Sequence, residues 1–429
     1  MKPVKSQFTE KNLTGNAGLK HIGKFIEKLN LLEILKKHIS IARASNAKYQ
    51  VADAVIVLIL GIFAGATHMS HLALLLSADC VIRAIFGWDE FPDCSNLGRI
   101  FRLFTQASCN EIAEVENIVR RKVWKKRWFG RVTLEFDSSV KGVFGDQEGA
   151  AVGYNPKKRG QKSYHPLFCF LAETRECLHN WFRTGLAYSA NGIVEFASEC
   201  FERLPKGVWK VFVRADSAFF NGTFLSFLEG RGALYIIKVK LSNLVAVLQR
   251  QKWTAIRNMP GFEAAEFWYR CAGWNKPRRF VAIRKLIEVV TEGVLFPEYR
   301  YDFFCYVTNQ NLSPWKIHKD YGQRAASENW IEWVKNQMAA GSILTQDFWA
   351  NSAIFQTSIL AYNMMVWMMW LKEGRQLNHE PNTIRWWLIR VPARLLTSGR
   401  QFVLKFQKNA YFKDRWLDFE VFLDQLCFD

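Results

Sequence analysis

Asp137 and Asp216 each stand just past an apolar run, in Leu134-Glu135-Phe136-Asp137-Ser138-Ser139 and in Val213-Arg214-Ala215-Asp216-Ser217. Functional groups collect at strand ends in α/β sheets, and the small residues that follow each carboxylate leave room for a ligand. One such aspartate by itself is more often a helix cap or a turn former. A third element joins them. Tyr321, Arg324, Glu328 and Lys335 are spaced 3, 4 and 7 apart, so on a single α-helix all four share one face. An exposed Arg324–Glu328 ion pair, worth about 0.3–0.5 kcal/mol, accounts for two of them. It leaves the tyrosine and the lysine on the same stripe unexplained. Arg324 offers a planar fork for phosphate, Lys335 a point charge and Tyr321 a hydroxyl donor.

The elements that must position these groups can be read from periodicity. Val132, Leu134 and Phe136 alternate with Thr133, Glu135 and Asp137, which describes a strand ending in an acid. Tyr164–Leu171 reads as a second strand, Asn191–Arg203 as a helix, and Val208–Ala215 as a strand ending at Asp216. Phe303–Thr308 is a later strand, and the stripe rides on a long helix running to about Gly341. Strands alternating with helices indicate a mixed α/β core with a partly parallel sheet.

Lys238–Arg300 holds short β-rich pieces and is too long for an ordinary loop, so an inserted subdomain is expected there. Residues 1 to about 128 read helical, with a polar break at Phe91–Ser95, Ser95 as the next N-cap, and a basic run from Arg120 to Arg127. That pattern fits a helix-turn-helix reader or a bundle with a solvated basic face. The expected divisions are residues 1–128, 129–237, 238–300, 301–380 and a basic segment 381–429 that carries Arg385, Arg390, Arg394 and Arg400.

A net charge of +19 points to a polyanionic partner, nucleic acid or an anionic membrane surface. The high apolar and aromatic content excludes a disordered chain. Nine scattered cysteines without a CxxC pair argue against a disulfide scaffold or zinc module and for a reducing compartment. His68 and His71 lack companions at ligand spacing, so no zinc is assigned. Val51–Ala66 contains Asp53, and Ala353–Trp370 contains Gln356, Tyr362 and Asn363. Both are shorter than the roughly 20 apolar residues of a membrane span and read as buried core helices. No leader is visible at Met1–Ser6, and a cytoplasmic location is expected, with no membrane partner.

The Tyr-x2-Arg-x3-Glu-x6-Lys stripe after two strand-terminal aspartates resembles the DDE transposases of bacterial insertion sequences. Within them it is similar to the branch defined by that Tyr-Arg-Glu-Lys signature. Gly153-Tyr154-Asn155-Pro156-Lys157 and Gly160-Gln161-Lys162-Ser163-Tyr164-His165-Pro166-Leu167 resemble one family of this branch, and the likeness reaches Val391-Pro392-Ala393-Arg394. The resemblance implies an RNase H-like catalytic core with a β-rich insertion before the glutamate helix, and an all-helical, DNA-binding N-terminal domain. It implies Asp137, Asp216 and Glu328 as catalytic metal ligands, with Tyr321, Arg324 and Lys335 holding DNA near the scissile phosphate. All six are present. The expected cofactor is a pair of Mg²⁺ ions, with Mn²⁺ as a substitute, and the expected partners are terminal inverted repeats and target DNA, bound by a homodimer in the bacterial nucleoid.

Two ions roughly 4 Å apart can activate a nucleophile and stabilise a departing 3′ oxygen. Mg²⁺ takes oxygen ligands and keeps waters, so three carboxylates and a phosphate suffice. Without metal, carboxylates about 4 Å apart repel by roughly 4 kcal/mol per pair at an effective dielectric of 20, and a loose site is expected. The resemblance further implies cut-and-paste movement through a DNA hairpin, whose unstacked base an aromatic ring would receive. Phe304 or Tyr306 is the candidate, against the simpler reading of ordinary sheet residues. Lys157, Lys158, Arg159 and Lys162 form a basic loop expected to touch DNA phosphates or to stay solvated. Glu173, Glu176 and His179 read as a surface cluster. The rivals to a transposase are a nuclease or resolvase without strand transfer and a non-catalytic DNA-binding regulator.

Overall fold

The structure is a computed structural model and describes residues 2–153, 155, 158–289, 298–399 and 401–428. The chain forms two compact units: Met1–Arg127 with Phe144–Glu148 and Ile331–Asp429, and Trp128–Val143 with Gly149–Trp330.

The second unit is built on a mixed sheet of nine strands. Five of them form its centre in the order Cys177–Trp181, Leu167–Leu171, Arg131–Ser138, Lys210–Ala215, Leu234–Lys238. The first three are antiparallel neighbours, while Arg131–Ser138, Lys210–Ala215 and Leu234–Lys238 run parallel. The alternation expected from Val132, Leu134 and Phe136 has a direct cause, because all three are fully buried. Phe136 packs edge-on against Phe196 of the helix Ile193–Glu202 and Phe224 of the helix Gly222–Gly230. Those helices supply the crossovers that parallel strands require.

The sheet continues past Leu234–Lys238 through Glu298–Thr308, Arg278–Val289, Phe262–Tyr269 and Thr254–Ala255, all antiparallel. Much of the 238–300 stretch thus extends the same sheet. The late strand is longer than its expected Phe303 start, since cross-strand pairing reaches Glu298. The expected Tyr164–Leu171 strand is split into Lys162–Tyr164 and Leu167–Leu171. Pro166, which has no N–H to give a ladder, lies in the gap.

In the first unit the helix Phe348–Glu373 is buried along nearly its whole length. Val51–Ala64 and Gln106–Trp124 pack on it. The helix after the Phe91–Ser95 break starts two residues earlier than expected: Asp93, not Ser95, is its N-cap and accepts the Asn96 N–H at 2.7 Å. Two of the C-terminal arginines are used internally. Arg385 donates to the carbonyls of Phe63 at 2.9 Å and Ile62 at 3.1 Å, and Arg390 to that of Ala64 at 3.3 Å. Both therefore cap the C-terminal end of Val51–Ala64, where a cation also meets the negative end of the helix dipole. No single helix among the described residues is long and apolar enough to cross a membrane.

Candidate active site

Parallel pairing brings the two aspartates together. Phe136 lies opposite Ala215 in register, so Asp137 and Asp216 leave the sheet side by side at the same strand ends. Asp137 Oδ1 accepts the Ser138 N–H at 2.8 Å, and Asp216 Oδ1 accepts the Ala218 N–H at 3.0 Å. Asp216 thus also caps the turn Ser217–Phe219, as its type alone would suggest. Around Asp137 the polar chain continues: Ser138 Oγ lies 2.6 Å from Ser189 Oγ and 3.3 Å from His165 Nε2. His165 Nδ1 faces the Ala187 carbonyl at 2.5 Å, so it carries the proton and Nε2 accepts from Ser138.

The third element departs from the expected single helix. Pro314–Gly322 stops, Gln323 and Arg324 form a turn, and a second helix runs over Ala325–Glu332 into the π-helical turn Trp333–Gln337. The cause is a captured carbonyl. The Arg324 N–H bonds the Tyr321 carbonyl at 2.9 Å, one residue short of helical reach, and leaves that of Asp320 for Arg214 Nη1 at 2.6 Å. Arg214 also donates to Gln323 Oε1 at 3.2 Å. The four stripe residues therefore do not ride on one continuous helix. Tyr321 closes the first helix, Arg324 sits in the break, Glu328 lies exposed on the second, and Lys335 falls in the other unit.

Arg324 is only 6 % exposed, and its Nη2 meets Asp137 Oδ2 at 2.9 Å and the Phe136 carbonyl at 3.3 Å. Its buried Nε has no hydrogen-bond partner among the described residues. The repulsion expected to loosen the acids is thus answered at Asp137 by a guanidinium. Burial still pushes the Asp137 carboxyl up to about 6, and the like charges of Asp216 and Glu328 add to the rise, while Arg324 and the Ser138 N–H oppose it. Burial likewise pushes the Tyr321 hydroxyl up to about 12, which keeps it a neutral donor.

Two contributors escaped sequence reasoning. Glu135, fully buried, accepts from Arg214 Nε at 2.6 Å. The pair stands in register two residues before the two aspartates, on the same sheet face. The available signal was a charge at the same offset before each acid, Glu-x-Asp and Arg-x-Asp, inside otherwise apolar strands.

The remaining candidates lie elsewhere. Phe304 is half-buried against Ile236, Val281, Tyr306 and Ile317, with its ring 5.1 Å from His318. Tyr306 is buried and bonds His318 Nδ1 at 2.8 Å. Lys158 and Arg159 are exposed on a loop, Lys162 is exposed in the strand Lys162–Tyr164, and Lys157 lies outside the described residues. Glu173, Glu176 and His179 are not a surface cluster. Glu176 and His179 are buried, Glu173 accepts the Thr133 N–H at 2.9 Å, and His179 pairs with Glu199 at 2.5 Å.

Among the described residues, no group of three or more His, Cys, Asp or Glu side chains is close enough to hold a metal ion. The donor chemistry at the strand ends nevertheless suits a hard divalent cation. It is all carboxylate oxygen, and the Asp137 charge is held at a cost that a cation would relieve. That cost has a sign that can be checked. The folded pKa of about 6 exceeds the ordinary 3.8, so the penalty is fully present above pH 6 and vanishes as pH falls toward 4. Without divalent ions, Asp137→Asn should exceed the wild type in stability by up to about 3 kcal/mol above pH 6, and the gap should close by pH 4. Urea titrations at several pH values measure this.

Asp137 and Asp216 at adjacent parallel strand ends, with the buried Arg324 guanidinium paired to Asp137, form an acidic polar site, and Glu328 is a third carboxylate whose charge reaches Asp137. The chain belongs to the family described as Transposase DDE domain group 1, whose profile matches residues 1–426. It is a transposase. Among curated proteins, none matches. Among solved structures the chain is similar to piggyBac transposase in a synaptic complex with hairpin DNA, at 12 % identity and a TM-score of 0.45, over 86 % of this chain and 79 % of that one.

Proposed function

We propose that this transposase cleaves DNA at the ends of its own element and joins the freed 3′ ends to target DNA, by cut-and-paste movement through a hairpin. The observation that carries the reading is the placement of Asp137 and Asp216 on adjoining parallel strands, with Glu328 near enough to raise Asp137. The strand order at the centre of the sheet, three antiparallel strands followed by two parallel to the first, supports an RNase H-like core. The Tyr-Arg-Glu-Lys spacing supports membership of the branch bearing that signature, and with it the hairpin route.

Asp137, Asp216 and Glu328 would hold Mg²⁺, which supplies Lewis-acid stabilisation of the attacking and leaving oxygens when bound. The protein's own groups do the rest. Arg324 orients Asp137 and keeps an N–H in reserve, Tyr321 donates to a phosphate oxygen, and Lys335, in the other unit, is proposed as a DNA contact of its own. Glu135 and Arg214 hold the break that sets where Arg324 and Glu328 lie. Residues 1–128 are proposed to bind the terminal repeats, and two copies to pair on DNA, because two ends must be joined.

Incubating the protein with Mg²⁺ and end-containing DNA tests the reading. Joined products are expected, whereas cuts alone or binding alone would reassign it to a nuclease or a regulator. The exposed Lys158 and Arg159 are proposed to meet phosphates. Reversing both charges should flatten the plot of log affinity against log salt by a slope of about 2. An unchanged slope would remove the contact.

A further inference from the structure

At the other ends of the two aspartate strands the surface has an unusual composition. Trp128 is 75 % exposed and Trp209 is 67 % exposed, although indoles are normally well buried. Both press on one point. A Cβ added to Gly130 would meet Trp128 at 2.4 Å and Trp209 at 2.7 Å, so only glycine lets the two rings approach there. Gly207, at φ +91°, would bring a Cβ to 3.3 Å from the Trp128 indole nitrogen. The pair is therefore held by its backbone surroundings and is not loose decoration.

Cations adjoin it. Arg131 follows Gly130, Lys210 follows Trp209, and the two lie opposite each other in register with both charges over the Phe212 ring, at 5.6 and 5.3 Å. Lys206 precedes Gly207. None of the three has an acidic partner among the described residues. Six residues of strand at about 3.3 Å each separate this rim from Asp137, roughly 20 Å.

We infer that the Trp128–Trp209 rim is a second nucleic-acid site, one that takes an unpaired DNA strand. Uncompensated cations match phosphates, and exposed indoles match base faces, which a paired duplex keeps covered along its length. A strand freed at the acids has only one sheet length to travel before it reaches the rim. The inference rests on the proposed action on DNA for its partner but uses none of the proposed catalytic residues.

The test is fluorescence anisotropy of a labelled oligothymidylate against the full chain. The double variant Trp128→Ala/Trp209→Ala should weaken binding about 5- to 140-fold per stacked base. Trp128→Phe/Trp209→Phe should restore most of it. Arg131→Glu/Lys206→Glu/Lys210→Glu should reduce the salt slope by about 2. Unchanged affinity in the alanine variant overturns the inference, as does an equal loss in the phenylalanine variant. A change in oligomeric state without a change in affinity also overturns it, since the rim would then cover a protein. Asp137→Asn separates the two readings: continued DNA cutting by that variant would sink the catalytic assignment and leave the rim standing.

Discussion

Replacing Asp137 with asparagine is expected to lower Mg²⁺-dependent cleavage of end DNA by about 10³-fold or more. The estimate follows from the several kcal/mol of charge stabilisation that a correctly held cation supplies, at tenfold per 1.36 kcal/mol. Asparagine keeps the shape and one acceptor oxygen but removes the charge, so the loss would report electrostatics and not packing. DNA binding should persist, because the positive groups are untouched. A single-turnover cleavage assay with a parallel binding titration checks both halves. Retention of more than about a tenth of the cleavage rate would exclude Asp137 from the chemistry.

The second large effect concerns Glu135 and Arg214. Breaking a buried pair by neutralising one partner strands the other charge and costs about 3–5 kcal/mol. Arg214→Met should therefore destabilise the chain by that order, read by urea denaturation, because it leaves the buried Glu135 carboxylate without its cation and the Asp320 carbonyl without its donor. The reciprocal exchange Glu135→Arg with Arg214→Glu should recover part of the stability. It should not recover cleavage, because a carboxylate at position 214 cannot donate to the Asp320 carbonyl. Recovery of both would show that the pair serves stability alone.

Much of the sheet was legible because burial leaves a two-residue rhythm. Val132, Leu134 and Phe136 point into the core, and the first polar residue to leave it, Asp137, marks the strand end. Asp216 was found in the same way. What the sequence could not display was pairing. Glu135 and Arg214 are 79 residues apart, and only the parallel register sets one against the other. The helix break was hidden for a related reason. Helical spacing from Tyr321 to Lys335 is a local property, whereas the interruption is imposed by a guanidinium arriving from a strand. The 238–300 stretch was recognisable as β-rich, but that its strands prolong the central sheet depends on the Glu298–Thr308 strand bonding to Leu234–Lys238.

The interruption at Gln323–Arg324 has a mechanical side. Ile317 on the first segment is locked into an apolar cluster, and an unbroken rod would tie the glutamate's position to that anchor. With the rod cut, the Glu328 segment takes its seat from its own packing, through the buried Ser327 and Trp330 and the contact of the Trp330 ring with Phe170 of the central sheet. The third acid is thus registered against the strands that carry the other two, whatever the seating of the first segment.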